Sequence, residues 1–88
     1  MNHKHRATLH ALFAHPLSSN IDTKAVKAVL ESMGAELSHG GHSHLSVKLN
    51  GHVHSLHDTA HTLPKEAVVT LRKFLEEAGV DPVRDYPL

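Results

Sequence analysis

No cysteine occurs among the 88 residues, which removes disulfides, thiolate zinc sites and a cysteine nucleophile at once. A reducing compartment fits that composition. No stretch is apolar for long enough to span a bilayer, and the start Met1-Asn2-His3-Lys4-His5 has no apolar run of a secretory kind. A cytoplasmic protein without membrane association is therefore expected. Net charge is missing too: nine basic and nine acidic residues cancel, so the chain as a whole carries no electrostatic footprint of a nucleic-acid binder. The length allows one hydrophobic core and not two, so residues 1–88 are expected to form a single domain. Such a domain buries about 60% of the surface its unfolded chain exposes, and oligomerisation or a partner is the expected supplement to its stability.

What the sequence has in excess is histidine, with 11 copies. An unperturbed imidazole titrates near pH 6.5, so mild acid turns this neutral chain positive, and any RNA affinity should depend on pH.

Residues 4–14 place Leu9, Leu12 and Phe13 on one side at helical spacing, and His15-Pro16 ends that segment because the residue before proline is pushed out of the α region. After a loop, Asp22 is a suitable cap for a second helix, in which Val26, Val29, Leu30 and Met33 repeat at i, i+3, i+4 and i+7 before Gly34. A third helix begins around Pro64, carries Val68, Leu71, Phe74, Leu75 and Ala78 as an apolar stripe, and stops at Gly79 ahead of Pro82. Between the second and third helices the period drops to 2: Leu45, Val47 and Leu49 alternate with His44, Ser46 and Lys48. Asn50-Gly51 then signals a two-residue hairpin turn, and a second strand runs from about His52 to His57. Ala35 to Leu37 adds a short edge strand before the turn at Gly40-Gly41. The expected fold is α+β: a small two-layer sandwich of a three-stranded antiparallel sheet with helices on one face and an extra N-terminal helix over about residues 1–19.

With Asn50 and Gly51 as the turn, Leu49 lies opposite His52, Val47 opposite His54, Leu45 opposite Leu56 and His44 opposite His57. Directly opposed residues share a face. Leu45, Val47, Leu49 and Leu56 then form the buried side, while His44, Ser46, Lys48, Ser55 and His57 stand on the other side with Val53. His54 falls on the buried side and is expected to bond there to a backbone group. Cross-strand partners have Cβ atoms about 4.5–5.5 Å apart, so the His44 and His57 rings could bracket one small group such as a phosphodiester. A one-residue slip destroys the pairing.

Two imidazoles at that separation can influence each other's titration, and near neutral pH one can be neutral while the other is protonated. RNA cleavage uses both states: one ring takes the 2′-hydroxyl proton as that oxygen attacks phosphorus, and a protonated group assists the departing 5′-oxygen. That route needs no metal or cofactor.

The stretch Gly41-His42-Ser43-His44-Leu45, followed by strand, turn, strand and the segment Leu63-Pro64 through Leu71-Arg72-Lys73-Phe74-Leu75-Glu76-Glu77-Ala78-Gly79, resembles the HicA toxin family. The similarity spans about residues 20–80 and rests on the order and spacing of short motifs. It implies a fold like that of double-stranded RNA-binding domains, ribonuclease activity on messenger RNA, and control by a HicB-like antitoxin with which the toxin would form an oligomer. Ser43-His44 matches the family's Ser-His, which makes His44 a catalytic candidate alongside His57, while Ser43, Lys48 and His61 become candidate RNA contacts. The chain departs from the pattern where His42 replaces a glycine, where no aromatic follows His44, and in its lack of net positive charge.

Other uses of the same residues stay open. Lys65, Arg72 and Lys73 on the third helix, with Lys24 and Lys27 on the second, could contact phosphates, although charged helix faces are commonly just solvated. His42 and His44, His52 and His54, and His57 and His61 have spacings at which imidazoles hold zinc, copper or nickel, with Asp58 the one carboxylate nearby. Met1-Asn2-His3 could chelate copper or nickel through its amino group. His3, His5, His10 and His15 read as a solvated face of the first helix. The chain could also be a protein-interaction module whose histidines tune its pH response.

Overall fold

A computed structural model describes residues 2–17, 20–41, 44–57 and 61–88, and the order of elements is helix, helix, three strands, two helices. Helix α1 spans His3–Leu12, α2 Thr23–Ser32, α3 Lys65–Glu77 and α4 Pro82–Asp85; strands β1, β2 and β3 span Glu36–Gly40, His44–Leu49 and His52–His57. The strands form one antiparallel sheet in the order β1-β2-β3. The α+β architecture and the additional N-terminal helix are as the hydrophobic periodicity indicates.

Local chemistry fixes the helix ends. The Asp22 carboxylate accepts from the Lys24 N–H at 3.1 Å, satisfying one of the orphan donors of the first turn of α2. At the other end the Ala35 N–H donates to the Leu30 carbonyl at 3.0 Å, and α3 closes alike, with the Val80 N–H on the Leu75 carbonyl at 2.9 Å. Both are the bond back to the helix that a glycine-terminated α-helix makes. Pro64 stands at the N-cap of α3 rather than within its first turn, and no side chain caps that end.

The core lies between the sheet and the helices. Leu45, Val47, Leu49 and Leu56 are buried on the sheet side; Val26, Val29 and Leu30 of α2 and Val68, Leu71 and Leu75 of α3 close it from the other. Helix α3 lies against β3 and α2 against β1, while α1 packs on α2 and α3. The segment between β3 and α3 is held to the start of α2 by the Thr23 N–H on the His61 carbonyl at 2.9 Å and the Leu63 N–H on the Ile21 carbonyl at 3.0 Å. Thus the two helices that cover the sheet are tied at one end by a short bridge.

Three features differ from the sequence expectation. First, the histidines of α1 are not all a solvated face, although its apolar side is buried as expected. Leu9 and Leu12 are fully buried, His10 Nε2 donates to the Tyr86 carbonyl at 2.8 Å, and His5 Nδ1 shares a 3.0 Å hydrogen bond with Ser32 Oγ. Two of the four N-terminal histidines therefore tie α1 to α2 and to the C-terminal segment, while His3 and His15 are exposed. The helix also stops at Leu12, four residues before Pro16, where Phe13 donates to the His10 carbonyl in a tightened last turn. Second, β1 extends to Gly40, because backbone pairing to β2 continues past the last apolar residue; an exposed edge strand shows no alternation to read. Third, α4 forms because the Asp81 carboxylate accepts from Val83 and Arg84, Pro82 suits the first helical position, and Arg84 Nη2 donates to the Gly79 carbonyl at 2.9 Å.

His54 corrects a fourth expectation. Its side chain does turn toward the core, but its Nε2 is buried without a hydrogen-bond partner. The ring instead stacks on Phe74 of α3, with centroids 5.1 Å apart and planes 21° from parallel. Burial opposes the charged form and lowers the pKa of this imidazole from its ordinary 6.5.

Two stability measurements follow. Leu12→Ala should cost about 2–5 kcal/mol in urea unfolding if α1 belongs to the core, and well under that if the helix is an appendage. For His54 the sign is that of a depressed folded-state pKa. As pH drops through 6.5 the unfolded chain takes up a proton that the native core refuses, so stability present above 6.5 is lost until the lowered native pKa is reached. His54→Leu should therefore show a shallower fall in Tm between pH 7.5 and 5 than the wild type, whose other ten histidines are common to both.

Candidate active site on the open face of the sheet

The site is built by a turn. Asn50 and Gly51 both have positive φ, 50° and 82°, the combination a type I′ hairpin needs and whose twist matches the strands it joins. The Asn50 amide donates to the Ala78 carbonyl at 2.8 Å, which fastens the turn to the end of α3. From that turn the register runs Leu49 with His52, Lys48 with Val53, Val47 with His54, Ser46 with Ser55, Leu45 with Leu56, and His44 with His57. Every pairing expected from the two-residue turn is present.

The face turned away from the helices consists of three rows across the sheet. Glu36, Lys48 and Val53 form the row nearest the turn, Ser38, Ser46 and Ser55 the middle row, and Gly40, His44 and His57 the far row. Counted from the turn, these rows across β2 and β3 are the pairs that do not exchange backbone hydrogen bonds, in which side chains approach most closely. The last row brings the His44 and His57 rings to a centroid distance of 5.7 Å with planes at 83°, an edge-to-face contact. Both residues are solvent-exposed. On the other flank of His44 stands Gly40, whose missing Cβ would lie 3.6 Å from that of His44. A ligand can therefore approach the pair from the β1 side without meeting a side chain in that row.

The other candidates scatter. Lys48 is exposed on the same face but four residues along β2, about 13 Å from His44 by strand rise, and it faces Glu36 across the sheet. It reaches a different part of an extended ligand, and the acidic neighbour offsets its charge. His61 is exposed beyond β3. Lys65 and Lys73 are exposed on α3, in the layer behind the sheet from His44 and His57. Arg72 lies in the same layer, half-buried, with its Nε 3.9 Å from Glu76 and one guanidinium nitrogen buried without a partner. Lys24 and Lys27 are on α2, also in the helix layer. Ser43 and His42 of the Ser-His motif, and Asp58, lie outside the described residues.

Among the described residues no group of three or more histidines and carboxylates is placed to hold a metal ion. His52 and His54 share the helix-side face of β3, but His54 is stacked against Phe74 while His52 stands exposed beside the turn.

Sequence reading did not anticipate Gly40 in the row of the pair, since β1 was expected to end at Leu37. It also missed a groove of about 360 Å³ along the edge of β3, bounded by Ser55, Leu56 and His57 on the strand and by Thr62, Pro64, Glu66, Ala67 and Thr70 on and before α3. Its signal was present in principle: a strand that ends the sheet, followed at once by a covering helix, leaves a furrow between them.

If the turn sets the pairing, its two residues should carry measurable stability. Gly51→Ala puts a Cβ on a left-handed residue and should cost about 1–2 kcal/mol, while Asn50→Gly keeps the turn and loses the bond to Ala78, for about 1 kcal/mol. Urea titrations of both variants check this, and unchanged midpoints would show that the register is set elsewhere.

In comparisons with known proteins, no family model, no curated protein and no solved structure matches this chain.

Proposed function

We propose that this chain is a metal-independent endoribonuclease of the HicA toxin kind, acting on messenger RNA through His44 and His57. The observation that carries the proposal is the exposed, edge-to-face imidazole pair at 5.7 Å. A phosphodiester is small enough to sit beside two such rings and meet both. One neutral imidazole accepts the 2′-hydroxyl proton while that oxygen attacks phosphorus. The bond from phosphorus to the 5′-oxygen breaks, and the protonated second imidazole gives its proton to that oxygen. The products are a 2′,3′-cyclic phosphate and a 5′-hydroxyl, and the pair ends with its protons exchanged.

Support also comes from the place of His44 at the start of β2 and of Leu63-Pro64 ahead of α3, in the order the HicA resemblance calls for. The proposal takes with it a fold like that of double-stranded RNA-binding domains, a cytoplasmic site of action, and a HicB-like antitoxin bound to the toxin. No helix among the described residues is long and apolar enough to cross a membrane. Ser43, Lys48 and His61 are further proposed substrate contacts, with Lys65, Arg72 and Lys73 serving RNA that wraps to the helix layer.

One observation favours a second reading, a binding module without catalysis. The groove beside β3 is walled by Leu56, Pro64 and Ala67 and carries Glu66, which repels phosphate and suits a protein segment better than a nucleic-acid backbone. The two readings part on one experiment. Purified wild type should cleave RNA in EDTA, leaving 2′,3′-cyclic phosphate ends, with a bell-shaped pH profile; His44→Ala and His57→Ala should each lose about 10²–10⁴-fold in rate with unchanged circular dichroism. Expression of the wild type should slow growth and that of His44→Ala should not. Equal cleavage or equal toxicity would remove His44 from the mechanism and leave the binding module.

A further inference from the structure

We infer that the His44–His57 pair is also a zinc site, and that zinc bound there holds the open end of the β2–β3 hairpin together and shuts the pair off from proton transfer. The second half rests on the ribonuclease proposal; the first does not. Two imidazoles on one tetrahedral zinc, with Zn–N of about 2.0–2.1 Å, have ring centroids roughly 5 Å apart. The observed 5.7 Å differs from this by less than small rotations of two exposed side chains supply. The pair sits in the row where side chains of adjacent strands come closest, so neither backbone has to move.

The surroundings favour a cation with open coordination positions. Gly40 adds no side chain on the β1 side of His44 in that row, which leaves room there for water to complete the coordination sphere. No lysine or arginine shares the row with the pair; among the described residues of the sheet, the one lysine or arginine on the open face, Lys48, is four residues away and opposite Glu36. A neutral imidazole offers one ring-nitrogen lone pair. When zinc takes it on both rings, the nitrogens that would accept the 2′-hydroxyl proton and donate to the 5′-oxygen are no longer available, and cleavage stops without any change of fold.

Binding also has a mechanical effect. The turn at Asn50-Gly51 closes one end of the hairpin and His44–His57 is the last pair at the other. A metal bridge there clamps the end the turn cannot reach, and a ligand that binds the native state alone raises the melting temperature. Zinc is the informative probe, because it accepts imidazole nitrogens and has no redox chemistry of its own.

The test uses the full chain with ZnCl₂. Isothermal titration should give one zinc per chain, with a rise in Tm, and the imidazole proton resonances of His44 and His57 should move together in NMR. Both responses should vanish in His44→Ala and in His57→Gln, each checked by circular dichroism, and persist in His3→Ala. Zinc at about ten times its dissociation constant should slow RNA cleavage roughly tenfold, reversed by EDTA. Absence of zinc binding by the wild type, or equal binding by either pair variant, overturns the site. Binding without loss of cleavage overturns the inhibitory role. A wild type that binds zinc at the pair yet never cleaves RNA upholds the site and sinks the ribonuclease proposal instead.

Discussion

Two consecutive residues with positive φ decide which face of the sheet carries the His44–His57 pair. Asn50 and Gly51 reverse the chain in the tightest way the strand twist allows, and everything on β2 and β3 inherits its facing from them. Side chains alternate with period 2, so a slip of one residue would turn Leu45, Val47 and Leu49 to solvent and drive His44, Ser46 and Lys48 into the core. Burial of those three apolar side chains is worth about 1.5–3 kcal/mol apiece. The wrong register is thus penalised by several times what the turn itself contributes, and turn and core select the same pairing. The bond from Asn50 to the Ala78 carbonyl adds a third vote by fixing the turn to the helix layer.

Such agreement between local and global signals explains which parts were legible in the sequence. The β2–β3 register could be written down residue by residue because a two-residue turn leaves no freedom in counting. Helices α2 and α3 were legible because each carries an apolar stripe with a stop signal, and Asp22 caps as its chemistry suggests. Legibility failed where pairing is made by backbone alone. Ser38, His39 and Gly40 join the sheet as an exposed edge, with no side-chain pattern to announce them. It failed again where a polar residue serves packing: nothing in the sequence distinguishes His10, bonded to the Tyr86 carbonyl, from His3, which is exposed.

The candidate site shows the same division. That His44 meets His57 follows from turn arithmetic, but that the basic residues of α3 lie behind the sheet follows from layering, which only the assembled fold displays. Lys65, Arg72 and Lys73 look in sequence like companions of the histidines, eight to sixteen residues beyond His57. In space the sheet stands between them and the pair. His54 is the reverse case: two residues from the turn-adjacent His52 and on the same strand, it becomes a packing residue because α3 places Phe74 against it. Burial against Phe74 thus holds His54 toward neutrality, while His52 on the same face of the strand stands exposed beside the turn.

A face with so little net charge recognises a polyanion weakly at long range, because phosphate affinity in water comes largely from cations that displace counterions. What this face offers instead is short-range: hydroxyls in the middle row, a bare glycine beside His44, and two imidazoles whose lone pairs suit a proton, a hydroxyl hydrogen or a metal equally well. Those three occupants exclude one another, since each uses the same nitrogen electrons. Under the two proposals made above, protons, zinc and substrate would therefore compete at this one pair of rings. The hairpin that holds the pair need not change shape for any of them, so the competition is settled by ligand chemistry alone.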